Sequence, residues 1–524
     1  MKKRAILAFF SIIVASIPLL IIVPYTSSKN LVSKRDAARV QKSSQPNILF
    51  ILADDLDKEA IAYMPNLQAL LVKQGLSFQN AFVSVSLCCP SRSTILCGNY
   101  SHNTGIKSNG PIKGGFQTFY KNGLEKSTVA TWLQSGGYET ALIGKYLNGY
   151  PDTRLVPKTY IPQGWTQWYS PVTGKPQEQY NYVLNENGTL VSYGSASEDY
   201  GTDVYIQKAT HVIQSAAAHK KPFFIYLALN APHTPATPAP RHLGLYNNKI
   251  APRTPSYNEA DVSDKPNYIQ SLPLLTSKQK NSLDILYRRR LESLQAVDEG
   301  IKTLYETLAQ AKQLDNTYIF FTSDNGFHFG QHRTTTGKSF PYQEDVRIPL
   351  IVRGPNLPRN QTRSHIVGNT DFAPTFADLA NISVPDTVDG RSFSTLLSKN
   401  PPPKNFWRQS YLLEYWPVGV ETSKTPQSRV NYSGSEAPDL DQLRSFSPRY
   451  IQVPIPEYHG LQTSTYSYIE YSTGEKELYN LKVDAYQLNN IASEQPRLVR
   501  TFSDRLALLK QCKGKSCKEI EDLK

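Results

Sequence analysis

The chain has 524 residues, 40% of them hydrophobic and 19% charged, with a formal net charge of +13 at pH 7. That balance excludes a disordered chain and leaves room for a large core spread over roughly two to four domains. The positive charge suits anionic partners such as sulfated glycans or membranes, whereas no zinc-finger spacing, helix-turn-helix cue or RNP-like pattern points to nucleic acid.

The chain opens with Lys2-Lys3-Arg4 and an apolar run from Ala5 to Val23. A basic flank before such a run reads as a secretory signal or signal-anchor over residues 1–25, long enough to span a bilayer if uncleaved. Residues 26–45 are polar, basic and aperiodic, as a flexible tether would be. The body is therefore expected to be exported, whether secreted, periplasmic or lumenal (lysosomal included), with residues 5–23 as a membrane anchor if retained.

Ile48 to Ala53 is a continuous apolar run ending in Asp54-Asp55. It reads as a strand covered on both faces, with two carboxylates at the edge where ligands collect in open α/β sheets. Similar strands are expected at Thr140 to Ile143, Phe223 to Leu229, Tyr318 to Thr322 and Ile348 to Val352. Helical patterns at Asn66 to Gln74, Thr128 to Ser135 and Leu283 to Leu314 lie between them. The alternation predicts an α/β fold, a large mostly parallel sheet flanked by helices.

Between these elements stands Ser86-Leu87-Cys88-Cys89-Pro90-Ser91-Arg92, running on to Cys97-Gly98. Pro90 suits the first helical turn and Gly98 the position past the last, which puts Cys88 just before the helix N-terminus. Unpaired amides and the dipole favour anions there, and Arg92, four residues on, faces the same side. A helix cap with a buried thiol is the plainer alternative.

Residues 147–200 read as loop-rich, with Trp165 and Trp168 placed to stack on sugar rings and Asn187-Gly188 as a hairpin turn. Residues 234–280, rich in Pro, Asn and Ser, are expected to wrap the surface. Beyond about residue 395 the pattern changes. Tyr466 to Tyr471 and Lys476 to Leu481 flank Thr473-Gly474 as a hairpin, and a last helix runs from Gln495 to Lys510. The domains are thus a large one over 46–394 and a smaller antiparallel α+β subdomain over 395–524.

Export permits disulfides, and Cys512 with Cys517 would close a small loop. Cys89 and Cys97 on one helix would stand about 12 Å apart, beyond disulfide reach. Asp54 and Asp55 have a counterpart in Asp324-Asn325, again at a strand end. Three carboxylates and an amide oxygen suit Ca²⁺ or Mg²⁺ better than zinc, although either pair alone reads equally as a helix cap. Lys145 and His233 follow predicted strands. Lys338 sits in Thr336-Gly337-Lys338-Ser339, which lacks the first glycine of a phosphate loop, and no Gly-x-Ser-x-Gly elbow is present.

Cys88-Cys89-Pro90-Ser91-Arg92 resembles the Cys-x-Pro-Ser-Arg motif of the type I, formylglycine-dependent sulfatases. The preceding Asp-Asp strand end and the later Asp324-Asn325-Gly326 stand in that family's order, and the similarity runs from about Pro46 to Lys510. Within the family the chain is most similar to the N-acetylglucosamine-6-sulfatases. Supporting stretches include Gly144-Lys145-Tyr146-Leu147-Asn148 and Ala231-Pro232-His233.

The resemblance implies an alkaline-phosphatase-like fold, with the domain over 46–394 catalytic. It implies that a formylglycine-generating enzyme oxidises Cys88 to formylglycine (3-oxoalanine), whose hydrate attacks sulfur. By the same resemblance Asp54, Asp55, Asp324, Asn325 and the modified Cys88 would hold Ca²⁺, with Mg²⁺ the alternative. Arg92 would steady the nucleophile and metal site, Lys145 and Lys338 would clamp sulfate, and His233 or Lys338 would protonate the leaving oxygen.

Two positions depart from the pattern: Leu147 stands where many members have His, and Cys97 where Thr is usual. His328 and His332 lie near the second metal pair in sequence. The expected activity is hydrolysis of sulfate esters, foremost the 6-sulfate of N-acetylglucosamine in glycans such as glycosaminoglycans. Aryl or other carbohydrate sulfates, phosphomonoester or phosphonate hydrolysis, and non-catalytic glycan binding are the alternatives. Asn99, Asn187, Asn360, Asn381 and Asn431 sit in glycosylation triplets, which make a glycoprotein only in a glycosylating host.

Overall fold

Seven consecutive buried residues, Asn47–Ala53, form the strand β1, and alternate side chains feed two different cores. Ile48, Phe50 and Leu52 join one apolar cluster, while Leu49, Ile51 and Ala53 join the other. A strand covered on both faces needs apolar residues at both parities, which is why the run is unbroken. The computed structural model describes residues 45–417 and 455–524. The signal or anchor over 1–25, all of the tether over 26–45 except Gln45, and Asn431 lie outside the described residues.

The next strands are β2 (Leu76–Phe82), β3 (Glu139–Gly144), β4 (Gln167–Gly174), β5 (Tyr182–Glu186) and β6 (Thr189–Tyr193). They are followed by β7 (Phe223–Ala228), β8 (Thr317–Ser323), a short ribbon of β9 (His328–Phe329) and β10 (Thr336–Gly337), β11 (Leu350–Arg353) and β12 (Gln361–Gly368). All except the ribbon form a ten-stranded sheet in the order β12-β2-β11-β8-β1-β7-β3-β4-β5-β6.

The central strands β8, β1, β7, β3 and β4 run parallel, so their C-terminal ends share one edge. The strand expected at Ile348 to Val352 is β11, which enters antiparallel to β8 and β2. The stretch over 147–200 carries more structure than a loop reading allows. It supplies β4, β5 and β6, with Asn187 and Gly188 both at positive φ in the hairpin turn.

Helices α1 (Cys88–Cys97), α2 (Val129–Ser135), α3 (Gly201–His219), α4 (Ser277–Gln310) and α5 (Phe372–Leu379) cover the sheet. Residues of α1, α2 and α5 belong to one apolar cluster, and those of α3 and α4 to the other. The long helix α4 starts earlier than its apolar periodicity predicts. Thr276 caps it, its hydroxyl accepting from Gln279 N while Gln279 reaches back to Thr276. The helix expected at Asn66 to Gln74 is a single turn, Pro65–Leu67, continued by a π turn at Gln68–Val72.

A second sheet of four antiparallel strands follows: β13 (Ser410–Tyr415), β14 (Tyr458–Thr463), β15 (Tyr466–Tyr471) and β16 (Lys476–Asn480). Helix α6 (Pro496–Leu509) packs against it, and α7 (Lys515–Glu521) is an element the sequence did not announce. The Cys512–Cys517 disulfide ties the turn after α6 to α7, while Cys88, Cys89 and Cys97 are buried and lie outside it. Arg408 locks α7 down, bonding both Asp371 oxygens and Glu521 Oε2 at 2.8 Å. Among the described residues no helix is long and apolar enough to cross a membrane.

Candidate active site

The two acidic pairs meet because β1 and β8 are parallel and in register, with Ala53 opposite Ser323. Asp54 and Asp324 are the next residues of each strand, so their carboxylates emerge side by side. Asp55 then takes φ 64°, the left-handed region that Asp tolerates better than most residues. Its backbone N–H donates to Asp324 Oδ1 at 3.1 Å. One oxygen from each of Asp54, Asp55 and Asp324 lies within 4.8 Å of the others, all of them buried.

Helix α1 delivers the thiol. It begins at Cys88, not at Pro90, because Leu87 is extended and its carbonyl already accepts from Ser91 N at 3.0 Å. Cys88 is thus the first helical residue instead of the one before, and Pro90 still falls in the turn where no N–H partner is needed. Gly98 ends the helix at φ 71°. Cys88 Sγ lies 3.5 Å from Asp54 Oδ1 and 4.0 Å from Asp55 Oδ1.

Arg92, one turn further, faces the same cluster. Its Nε donates to Asp324 Oδ2 at 2.9 Å, its Nη1 to the Lys145 carbonyl at 3.0 Å, and its Nη2 stands 3.6 Å from Asp54 Oδ2. Lys145, just past β3, places Nζ 2.8 Å from Asp54 Oδ2. Lys338, just past β10, places Nζ 2.5 Å from Asp55 Oδ1 and 2.8 Å from Cys88 Sγ. His233, in the turn after β7, has Nε2 3.8 Å from Asp55 Oδ2 and Nδ1 2.6 Å from the Thr234 carbonyl. Each sequence-predicted site residue therefore lies at one place.

Burial and charge set the protonation states. Burial alone would raise the Asp54 carboxyl, but Lys145, His233, Arg92 and Lys338 hold it well below the usual carboxylate range. Burial and the Asp54 charge push Asp324 up to about 6, against Arg92. Burial and the neighbouring Asp54 keep Cys88 well above the usual thiol range, so it is a protonated thiol.

The donor set fits a hard divalent cation. Asn325 Nδ2 donates to Asp55 Oδ1 at 2.7 Å, while its buried Oδ1 has no hydrogen-bond partner among the described residues. An orphaned amide oxygen beside three crowded carboxylates is the arrangement an oxygen-preferring ion satisfies.

A family model described as Sulfatase matches residues 46–382. The chain belongs to the sulfatase family. It thereby falls among the sulfuric ester hydrolases expected from its motif. The chain is 34% identical to N-acetylglucosamine-6-sulfatase of Capra hircus over 487 residues, covering 91% of this chain and 85% of that protein. A Sulf-1-type extracellular sulfatase homologue of Caenorhabditis elegans is 37% identical over 382 residues, 71% of this chain. The chain spans only 52% of that relative's length. A solved protein in complex with its substrate D-glucosamine-2-N,6-O-disulfate superposes with a TM-score of 0.70 at 25% identity, covering 92% of this chain and 100% of that one.

One sequence expectation for this sulfatase needs correction. Trp165 and Trp168 do not present a sugar platform: they are 7% and 0% exposed. Trp165 stacks on Phe224 at 6.1 Å between ring centroids and packs against Trp168 in the core. His328 and His332 turn to other acids, bonding Asp345 at 2.8 Å and Glu259 at 2.7 Å through Nδ1. Leu147 is buried in the apolar cluster.

Sequence reasoning missed Arg290 and Ser91. Arg290, in the Arg288-Arg289-Arg290 run of α4, looks like part of a solvated face but is 1% exposed. It donates to the Asp55 carbonyl and, at 3.0 Å, to the Pro232 carbonyl, tying the metal edge to the His233 turn. Ser91 Oγ donates to the Asp324 carbonyl at 2.5 Å and accepts from Asn369 at 3.0 Å. No local signal in the sequence marks either contact.

Proposed function

We propose that this chain hydrolyses the 6-sulfate of N-acetylglucosamine in glycans, with Cys88 converted to formylglycine as the nucleophile. The observation that carries this reading is the approach of Lys338 Nζ and two carboxylates to the Cys88 side chain at the first turn of α1. A buried thiol amid acids would be a poor nucleophile as it stands, since both influences keep it protonated. A hydrated aldehyde there supplies one oxygen to attack sulfur and a second to re-form the carbonyl and release sulfate.

Asp54, Asp55, Asp324 and Asn325 would hold Ca²⁺, or Mg²⁺, which would supply charge to polarise a sulfate oxygen and favour the ionised nucleophile. As they stand, the three carboxylates are matched in number by Arg92, Lys145 and Lys338. With a divalent cation held by these residues the site would be net positive, which would draw in a sulfate ester anion. Lys145 and Lys338 would then turn from the carboxylates to the sulfate oxygens. His233, anchored through Nδ1 on a backbone carbonyl, would protonate the leaving alcohol oxygen from Nε2. Arg92 holds Asp54 and Asp324 in place.

The named activity of the Capra hircus relative and the glucosamine sulfate bound by the solved neighbour support the sugar assignment. Export with Cys512–Cys517 oxidised, maturation by a formylglycine-generating enzyme, a catalytic domain over 46–394 and a subdomain over 395–524 belong to the same proposal. The deciding experiment pairs mass spectrometry of the Cys88 peptide with kcat/KM for N-acetylglucosamine 6-sulfate, an aryl sulfate and the matched phosphate esters. An aldehyde at Cys88 and a preference for the sugar sulfate are expected. An unmodified Cys88 with binding but no turnover would make the protein a glycan binder. Faster phosphate hydrolysis would make it a phosphoester hydrolase on the same scaffold.

A further inference from the structure

The acids, the cations and Cys88 use only part of what the parallel strand ends present. Beside Lys145 lies a recess lined by Asn148, Tyr150, Ser170, Pro171 and Asn230. Lys145 belongs to both places, since its Nζ also bonds Asp54 Oδ2 at 2.8 Å. Asn230 stands two residues past β7 and is 1% exposed, yet among the described residues neither its amide nitrogen nor its oxygen has a hydrogen-bond partner. Ser170, in β4, is 0% exposed and its hydroxyl is likewise unpartnered among the described residues. Buried polar side chains pair as a rule, and an amide left open at both ends destabilises the fold that contains it.

The position of Asn230 is firmly held. Its carbonyl accepts from His233 N at 2.9 Å, and the Ala231 carbonyl accepts from Asp54 N at 3.3 Å. One turn therefore carries the open carboxamide, the histidine beside Asp55 and a backbone tie to the acidic cluster. A carboxamide presents two donors and an acceptor, and a serine hydroxyl presents one donor with acceptor lone pairs. Such a pair matches a neutral group that both donates and accepts. Tyr150 and Pro171 supply apolar walls to a recess that has room for a single small polar group such as a hydroxyl.

We propose that Asn230 and Ser170 form a subsite for a sugar hydroxyl of the carbohydrate whose sulfate is cleaved, which makes Asn230 a specificity-determining residue. The inference rests on the sulfatase function proposed above. A sugar sulfate brings partners to both side chains, whereas an aryl sulfate leaves Asn230 unpaired in a buried place. Sites built to bond a substrate hydroxyl reject analogues lacking it far more strongly than apolar pockets reject a missing methylene.

The test is the ratio of kcat/KM for N-acetylglucosamine 6-sulfate to that for p-nitrophenyl sulfate, in wild type, Asn230→Leu and Ser170→Ala, with melting curves for all three. Asn230→Leu is expected to lower the ratio about 10- to 100-fold, and Ser170→Ala about 3- to 10-fold. The serine variant stands in should the asparagine variant fail to fold. A ratio equal to wild type, whether both rates hold or both fall together, overturns the subsite and leaves the sulfatase function standing. A wild type that hydrolyses neither ester overturns both.

Discussion

Lys338 Nζ lies 2.8 Å from Cys88 Sγ, two residues 250 positions apart in the chain. The same ammonium bonds Asp55 Oδ1, so one charge touches both the proposed nucleophile position and a carboxylate of the proposed metal site. Its place is set by the β9–β10 ribbon, in which Gly337 pairs with His328. Lys338→Met keeps the length of the chain and removes the charge. It is expected to lower kcat on sulfate esters by about 10²- to 10³-fold, the scale for losing one charge-stabilising donor. Loss confined to KM would make Lys338 a binding group without a part in the chemical step.

Asn325 offers a buried amide oxygen with no hydrogen-bond partner among the described residues. Asn325→Ala removes that donor without changing the charge of the site. After chelation, calcium titrated back by calorimetry should bind more weakly by at least the ~10- to 100-fold that loss of a supporting partner costs. The same Ca²⁺ affinity in variant and wild type would return the acidic cluster to a role in anchoring Arg92 and the lysines.

Trp165 is a core residue, packed on Phe224, Trp168 and Tyr226. Trp165→Ala is expected to cost about 3–5 kcal/mol of stability, as large aromatic truncations in cores do. Sugar and aryl sulfate hydrolysis should then decline together, tracking the folded fraction. A selective loss on the sugar substrate would restore Trp165 as a glycan contact.

Glu125 sets a pH dependence of stability away from the active site. Its Oε2 accepts from Tyr160 at 2.6 Å, its buried Oε1 has no partner among the described residues, and burial raises its pKa to about 7 against the Tyr160 bond. The folded state therefore holds a proton that the unfolded chain has released, so stability falls as pH rises from the ordinary Glu range through about 7. Glu125→Gln cannot ionise. Its Tm should exceed that of wild type at pH 8 and converge on it near pH 4.5. A Tm difference independent of pH would remove Glu125 as the cause.

The sequence by itself determines the local parts of this protein. β1 is legible because a strand covered on both faces must be apolar at both parities, and α1 because Pro90 and Gly98 suit its ends. Cys88, Asp54, Asp55, Asp324 and Asn325 are legible as candidates as well, since a thiol before a helix and hard donors at strand ends stand out in the sequence. Tertiary structure alone decides which parts meet. Asp54 and Asp324 form one site only because β1 and β8 pair in parallel register, and Lys145 and His233 join them because β3 and β7 run the same way. Trp165 and Trp168 look like a surface platform in a polar stretch, yet β4 carries Trp168, and the segment leading into it Trp165, into the core. Asn230 looks like an ordinary turn residue, and its missing partners become visible only once every neighbour is in place. The physical reason is common to these cases. Periodicity and turn chemistry act over a few residues, whereas burial, charge pairing and an unsatisfied hydrogen bond depend on neighbours that the order and direction of strands bring from hundreds of residues away.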